Sequence, residues 1–339
     1  MKKVKWLLVG AGGIATTRVG PALVETKNSE LAAICDLHQD RAAKLADRFK
    51  VKTIFTDYDK ALAESEVDSV YIATNPYSEH VELCMKALKA GKHFLCEKPL
   101  GVNGEECLKL LKAVRKTDRI GSCSNYRRLS EQYKETKKML KRQEIGALNN
   151  GWMVYAAPFL YSARNNYPNF VTSKALGDGA VNWLGYYIID IAINLFGMPT
   201  GVMAQNGLFD KSKEVEYLSA IIMRFKGGEI FTIFINFQSQ GPTRHKLELF
   251  GSEGRIYWPE WPPHGNGPIF KITKDGTAKV DTHTNPNFHI PMIDDFVGAV
   301  LNGRQPVCAL ESAVKTAVVT EAILRSAESG KLEPVIWKG

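Results

Sequence analysis

The first third of the chain alternates short apolar runs with longer segments whose apolar residues recur at helical spacing. The short runs suit strands that are buried on both faces, and the segments between them are long enough for amphipathic helices. Alternation of this kind is typical of a doubly wound parallel sheet. The predicted strands are residues 4–9, 31–35, 69–73 and 93–96, and the predicted helices are residues 41–49, 79–90 and 105–115.

After about residue 125 the pattern changes to strands rich in β-branched and aromatic residues. A Lys-Gly-Gly sequence at 226–228 is a hairpin turn signal between two such strands, which indicates an antiparallel sheet. We therefore predict two domains, residues 1–124 and residues 125–339. The predicted strands of the second are 218–225, 229–237, 246–250 and 255–258, and its predicted helices include 293–301 and 312–326.

Composition and charge exclude several classes of protein. The chain has 339 residues, of which 45% are hydrophobic and 24% charged, as in an ordinary globular protein of about two domains. No apolar run is long enough to span a bilayer, and the one at 4–9 is too short for a signal peptide, so we expect a cytoplasmic protein. The net charge is +8, and the basic residues are densest at 134–142, where they are explained by a solvent-exposed helix face. No motif supports nucleic-acid binding.

The cysteines and histidines do not have the spacing of a metal site. None of the six cysteines forms a Cys-x-x-Cys pair, and the seven histidines show no His-x-x-x-His spacing. Most of the cysteines lie in apolar surroundings, which is typical of buried free thiols. We expect no metal.

A glycine motif follows the first predicted strand. Gly10 permits a tight turn, Gly12 lets the backbone approach a pyrophosphate, and the small Ala15 permits close packing of helix on strand. Asp36, at the end of the second strand, can accept hydrogen bonds from ribose hydroxyls, which favours NAD, while the nearby Arg41 leaves NADP open. The predicted dinucleotide-binding residues here are Gly10, Gly12, Gly13, Ile14, Asp36 and Arg41.

Lys98, in the triplet Glu97-Lys98-Pro99, is a candidate for proton transfer. Oxidation of an alcohol by a nicotinamide needs a group that takes the hydroxyl proton as the hydride leaves. Lys98 follows a predicted parallel strand, and open α/β sheets bind ligands at the carboxyl ends of their strands. The alternative is an ordinary surface lysine at the end of a strand.

These motifs make the chain resemble the glucose–fructose oxidoreductase/inositol dehydrogenase (Gfo/Idh/MocA) family over nearly its full length. The resemblance rests on the glycine motif, on the run from Ala90 to Leu100, and on residues 249–254 and 296–326. It implies an α/β protein with an N-terminal Rossmann domain and a C-terminal α+β domain built on a large, mostly antiparallel open sheet. It also implies NAD(P)-dependent oxidoreduction of sugars or polyols, with Lys98 contacting the substrate. The residues that it adds at the cofactor are Thr74, Asn75, His80, Glu97 and Lys98.

The family's second signature is a helix that carries an aspartate and, one turn later, a histidine. Alignment on Asp190 puts Tyr187 at the histidine position and Trp183 at the aspartate position. A tyrosine can still move a proton, whereas a tryptophan cannot replace a carboxylate. Helical spacing also pairs Asn182 with Tyr186, so the register stays open by one residue. The predicted catalytic residues are Lys98 and Tyr187, and the predicted substrate contacts are Lys98, Asn182, Trp183, Tyr187 and Asp190.

Three functions are open at this point. The favoured one is an NAD(P)-dependent dehydrogenase or reductase that acts on a CH–OH group of a carbohydrate. The second, found in the same family, is an NAD-dependent glycosidase that works by transient oxidation. The third is a non-catalytic regulator that senses nucleotides, because a fold does not determine function. The missing aspartate favours the last two slightly, and Lys98 together with a tyrosine argues against the third.

The hairpin at 218–237 is apolar on both faces, which is more than one domain core needs. We therefore expect a homodimer or homotetramer formed through the exposed face of the second sheet. The expected small-molecule partner is a carbohydrate, with no nucleic-acid or membrane partner.

Overall fold

A computed structural model describes residues 2–157, 179–207, 214–239, 244–260, 267–283 and 285–339. They form two compact units, each discontinuous in sequence. The first unit contains residues 2–126 and the returning segment Asn287–Val314. The second unit contains the described parts of Arg127–Pro286 and Lys315–Lys338. The linear pattern predicted a single boundary and did not predict the returning segment.

The first unit is built on a parallel sheet. Its strands are β1 (Val4–Val9), β2 (Ser29–Cys35), β3 (Thr53–Phe55), β4 (Ser69–Ile72), β5 (His93–Cys96) and β6 (Gly121–Cys123). They lie in the order β3-β2-β1-β4-β5-β6, and each neighbouring pair is parallel. The predicted doubly wound parallel sheet is confirmed. Its strand order reverses between β1 and β4, and ligands bind at such a switch point.

The helices of the first unit connect these strands. Pro21 is the second residue of the first α-helix, and the turn before it is π-helical, because the proline ring cannot take part in a regular helical hydrogen bond. The helices are α1 (Gly20–Glu25), α2 (Gln39–Phe49), α3 (Tyr58–Glu64), α4 (His80–Lys89) and α5 (Gly104–Val114), with a π-helical turn at Ala15–Val19 and 3₁₀ turns at Tyr77–Glu79 and Tyr126–Leu129.

The second unit is built on a sheet of nine described strands. They are β7 (Leu148–Ala156), β8 (Gly201–Gly207), β9 (Leu218–Arg224), β10 (Ile230–Asn236), β11 (Arg244–Gly251), β12 (Gly254–Trp258), β13 (Ile269–Thr273), β14 (Gly276–Val280) and β15 (Glu333–Pro334). Their order is β14-β13-β12-β11-β7-β10-β9-β8-β15. β7 pairs with β10 in parallel, and the other described pairs are antiparallel, which confirms the predicted second sheet.

Helices cover one face of the second sheet, and the other face carries exposed apolar side chains. On the covered side, Trp258 is fully buried, and its Nε1 donates to Thr136 Oγ1 at 2.9 Å. On the open side, Met203, Ile222 and Phe234 are each 45% exposed. The described helices of this unit include α6 (Glu131–Lys141) and α7 (Tyr186–Phe196), and a π-helical turn at Val181–Gly185 precedes α7.

The returning segment carries α8 (His289–Asn302) and leads into α9 (Leu310–Ser329). Asn287 Nδ2 donates to the carbonyl oxygen of Arg18 at 2.8 Å, just before α8 begins. Further along, the Phe296 ring packs on Trp6 of β1, with 5.1 Å between ring centroids. Both rings are fully buried, so α8 is part of the core of the first unit.

Among the described residues, no helix combines the length and the apolar character that a bilayer span requires.

Candidate active site

The glycine loop after β1 is open on the side that a ligand would approach. Gly10 has a φ of +91°, and a Cβ there would lie 2.5 Å from the carbonyl oxygen of Ala73, so the position requires glycine. A Cβ added to Gly12 or Gly13 would meet nothing within 4 Å. The backbone of these two residues therefore faces open space, as the close approach of a pyrophosphate requires.

The Asp36 carboxylate ties this loop to the end of β2. Its Oδ2 accepts the backbone N–H of Ala11 at 2.7 Å, and its Oδ1 accepts that of His38 at 2.8 Å. Each carboxylate oxygen has a second lone pair, so Asp36 can also accept hydrogen bonds from ribose hydroxyls. Arg41 is exposed in the first turn of α2.

The loop after β4 presents the next predicted residues. Asn75 is exposed. The hydroxyl Oγ1 of Thr74 is buried and has no hydrogen-bond partner among the described residues. A buried hydroxyl without a partner fits a site that a polar ligand completes. Together with the open glycine backbone and Asp36, it makes this edge of the sheet compatible with a dinucleotide.

His80 was predicted to contact the cofactor, and in the structure both nitrogens of its ring lie within hydrogen-bond distance of backbone carbonyl oxygens. Its ring is completely buried, with Nδ1 at 2.8 Å from the carbonyl oxygen of Pro99 and Nε2 at 3.0 Å from that of Thr74. Burial holds the pKa of His80 below its usual value. His80 therefore links the loop after β4 to the turn after β5 from inside the fold.

Glu97 was likewise predicted to contact the cofactor, and its carboxylate accepts hydrogen bonds from protein donors. The carboxylate accepts hydrogen bonds from the Tyr71 hydroxyl at 2.8 Å and from His289 Nε2 at 3.1 Å on Oε1, and from the Lys98 N–H at 3.3 Å on Oε2. Burial by itself raises the pKa of Glu97, but the hydrogen bond and charge interaction with His289, the Tyr71 hydrogen bond and the Lys98 charge outweigh it and hold that pKa below its usual value. The group is therefore a buried, charged carboxylate.

Lys98 follows β5, at the same edge of the parallel sheet as the glycine loop. Only 8% of the residue is exposed, and its peptide bond to Pro99 is cis. Lys98, Thr74 and the glycine loop are thus brought together at the carboxyl ends of neighbouring strands in the first unit. Tyr187 belongs to the second unit.

In the second unit, a π-helical turn precedes α7 where a regular helix was expected. Gly179, at φ +117°, approaches the Glu216 carboxylate so closely that a Cβ would lie 2.6 Å from Oε1. The same oxygen accepts the N–H of Val181 at 2.9 Å, which secures the start of the helix. A π-helical turn contains more residues than an α-helical one, so the four-residue spacing between 182 or 183 and 186 or 187 does not define a common face.

The four predicted residues at the start of this helix differ in their surroundings. Tyr186 is completely buried and Tyr187 is 5% exposed. The guanidinium carbon of Arg127 lies 5.1 Å from the centre of the Tyr187 ring, within the range of a cation–π contact. Asn182 is buried, and the half-buried Trp183 meets Phe237 edge to face at 5.7 Å.

Asp190 was predicted to bind substrate, and the structure assigns its carboxylate to a buried ion pair instead. Arg128 Nε donates to Oδ2 at 2.7 Å, and Arg128 Nη2 donates to Oδ1 at 2.5 Å. Thr316 Oγ1 donates to Oδ1 at 3.1 Å. Both charged residues are almost completely buried, so this carboxylate is not available to a sugar.

Sequence reasoning did not find the partners of the predicted site residues. His289 is 192 positions from Glu97, and Arg128 is 62 positions from Asp190. The adjacent arginines 127 and 128 are both buried, which is unusual for charged side chains, but burial is not visible in a sequence.

Comparison with known proteins places the chain in a family. The NAD-binding Rossmann fold of an oxidoreductase family, GFO/IDH/MocA, matches residues 4–125, and the GFO/IDH/MocA C-terminal domain matches residues 133–257. An uncharacterized oxidoreductase of Rhizobium meliloti is 30% identical over 99% of this chain and 100% of its own length. The chain belongs to the GFO/IDH/MocA oxidoreductase family. The predicted family and the predicted NAD-dependent oxidoreductase are confirmed.

Other members of the GFO/IDH/MocA family have named activities. The myo-inositol 2-dehydrogenase of Thermotoga maritima is 24% identical over 74% of this chain and 73% of its own length. A levoglucosan dehydrogenase, solved in complex with NADH and levoglucosan, has the same fold, with a TM-score of 0.89, 20% identity and coverage of 99% of this chain and 100% of its own.

The Arg128–Asp190 pair predicts a large effect on stability. Arg128→Met should lower the free energy of unfolding by about 3–5 kcal/mol, because it leaves a charged carboxylate buried without its partner. Arg128→Met combined with Asp190→Leu should recover most of this loss. Urea unfolding followed by fluorescence measures both.

The matched control is Arg325→Met, which removes a half-exposed arginine from its ion pairs with Glu321 and Glu333. Its effect should stay below about 1 kcal/mol. An Arg128→Met protein as stable as this control would contradict the role of the buried pair.

Proposed function

We propose that the protein is an NAD(P)-dependent dehydrogenase or reductase that transfers a hydride between the cofactor and a hydroxyl or carbonyl carbon of a sugar or polyol. The observation that carries the proposal is the position of Lys98, nearly buried at the sheet edge that also bears the open glycine loop. The named inositol and levoglucosan dehydrogenases support the substrate class.

The chain's residues divide the binding of the dinucleotide among three loops. The open backbone at Gly12 and Gly13 suits the pyrophosphate, and Asp36 suits the adenosine ribose. The negative charge of Asp36 disfavours a 2′-phosphate, so NAD should bind more tightly than NADP, although Arg41 leaves NADP as a weaker ligand. The unpartnered hydroxyl of Thr74 is available for a further hydrogen bond. When bound, the nicotinamide supplies the hydride acceptor or donor.

Lys98 is proposed to bind the oxygen of the reacting carbon and to carry its proton. During oxidation the amine Nζ takes the hydroxyl proton, and during reduction the ammonium returns it. Tyr187 is proposed as the second proton carrier. The complete burial of Tyr186 favours Tyr187 for this role, and the Arg127 guanidinium makes a cation–π contact with the Tyr187 ring. Trp183 would form an apolar wall against the sugar, and Asn182 would make a polar contact with it.

The test of the function is incubation with NAD⁺ and a panel of sugars and polyols, followed by NADH absorbance. Lys98→Met should abolish NADH formation, because the proton carrier is lost, while fluorescence titration shows unchanged NAD binding. Lys89→Met, an exposed lysine on α4, is the matched control and should behave as wild type.

Other outcomes separate the alternatives. Cleavage of a glycoside without net NADH would replace the proposal with a glycosidase, and NAD binding without any turnover would replace it with a regulator. Equal or tighter binding of NADP would overturn only the cofactor preference.

Tyr187→Phe should lower turnover by about a hundredfold to ten-thousandfold, as expected when a general acid–base group is lost. Tyr186→Phe is the matched control and should have little effect on turnover. Steady-state kinetics with the best sugar of the panel measures both, and NAD titration checks that the cofactor site is intact. The opposite ranking would make Asn182 and Tyr186 the working pair.

We also propose a homodimer or homotetramer in the cytoplasm. The free thiols of the six buried cysteines favour a reducing compartment. The open face of the second sheet carries Ile222, Ile230 and Phe234, each 44–45% exposed, and a contiguous apolar patch of this kind is typical of an interface.

The oligomer should depend on that face. Light scattering should give a mass at least twice the 37.7 kDa of one chain. Ile222→Asp with Phe234→Asp should yield monomers, because two charges cannot be buried unpaired in an apolar interface. Val24→Asp, at a similarly exposed apolar residue of α1, is the control and should not change the mass. A wild-type monomer at micromolar concentration would contradict the proposal.

A further inference from the structure

A network of buried hydrogen bonds in the first unit includes the backbone N–H of Lys98. The Glu97 carboxylate lies at its centre and accepts three hydrogen bonds, one of them from the N–H of Lys98 itself at 3.3 Å. The other donors are the Tyr71 hydroxyl on β4 and His289 Nε2 on α8. The negative charge of Glu97 therefore sits directly beside the lysine that the proposed reaction uses.

His289 is held rigidly in this network. It is the first residue of α8, and its own N–H donates to Asn287 Oδ1 at 3.2 Å. Asn287 is in turn bound to the carbonyl oxygen of Arg18, and the ring of Tyr126 packs against the imidazole with 5.0 Å between ring centroids. The ring is 2% exposed, so it has no freedom to leave Glu97 without disturbing its neighbours.

The hydrogen bonds of the imidazole indicate its tautomer. Nε2 faces a carboxylate oxygen, which can only accept, so Nε2 carries a proton. Nδ1 is buried and has no hydrogen-bond partner among the described residues. A proton on Nδ1 would therefore be a buried donor without an acceptor, which is costly. The arrangement fits a neutral imidazole that donates from Nε2.

We propose that His289 is a positioning residue for Lys98: its Nε2–H holds the Glu97 carboxylate, which in turn accepts the backbone N–H of Lys98. The proposal rests on the proposed function of Lys98. His289 belongs to the returning segment and to none of the recognised motifs. In this proposal α8 has two roles in the first unit: it supplies His289 to the site, and it packs in the core.

The test compares two substitutions of His289 with one control. Gln can present its amide N–H near the position of Nε2, whereas Leu cannot donate. His289→Leu should lower turnover about ten- to hundredfold, the effect of losing one hydrogen bond to a charged group, with the NAD dissociation constant within about twofold of wild type. His289→Gln should recover most of the turnover. His93→Leu removes a histidine at the opposite end of β5 and should leave turnover unchanged.

A second readout does not need activity. Acetic anhydride labelling of the full-length protein without cofactor, measured peptide by peptide across pH, reports the reactivity of Lys98 relative to the other lysines. His289→Leu should change the labelling rate of Lys98 several-fold, and His289→Gln and His93→Leu should not. If no sugar is oxidised, the proposed function fails, yet labelling still decides whether His289 positions Lys98.

Two results would overturn the proposal. One is a His289→Leu protein whose Lys98 labels as in wild type, which would reduce His289 to a packing residue. The other comes from the wild-type protein and does not depend on the folding of a variant. Nitrogen NMR of its histidine rings should show the neutral Nε2–H tautomer for His289. The neutral Nδ1–H tautomer would contradict the proposal, because Nε2 could then not donate to Glu97.

Discussion

The carboxylate of Glu97 is the constraint on which the first unit depends. A buried charge costs several kcal/mol unless donors surround it. Here the donors come from three separate parts of the chain: Tyr71 on β4, the backbone of Lys98 after β5, and His289 on α8. The hydrogen bonds to the Glu97 carboxylate therefore fix β4, β5 and α8 relative to each other. They also fix the position of the Lys98 backbone.

The parallel sheet supplies the rest of the site through geometry alone. In a parallel sheet all strands end at the same edge, so the loops after β1, β2, β4 and β5 converge there although they are far apart in sequence. Gly10 allows the ends of β1 and β4 to approach within a distance that a side chain would forbid. His80 then links the loop after β4 to the turn after β5 from inside the fold.

In the second unit, two adjacent arginines contact two side chains of α7 that lie about one turn apart. Arg127 packs on the ring of Tyr187, and Arg128 neutralises Asp190 one turn later. The same helix face therefore combines a residue suited to chemistry with a residue that serves stability. This division explains why Asp190, although polar and on the expected helix, is a structural residue.

The sequence by itself predicted the class of both sheets and four strands of each, the glycine loop and the position of Lys98 at a strand end, because hydrophobic periodicity and glycine placement are local signals. It also predicted Tyr187 ahead of Tyr186, but the argument assumed a regular helix, and the π-helical turn at Val181–Gly185 removes that assumption. Tertiary structure alone decided the partners of the buried charges. His80, Glu97 and Asp190 were assigned to ligands through the family resemblance, and in the structure their side chains bind protein groups. Burial depends on residues distant in sequence, so no local pattern could reveal which polar side chains face a ligand and which face the protein.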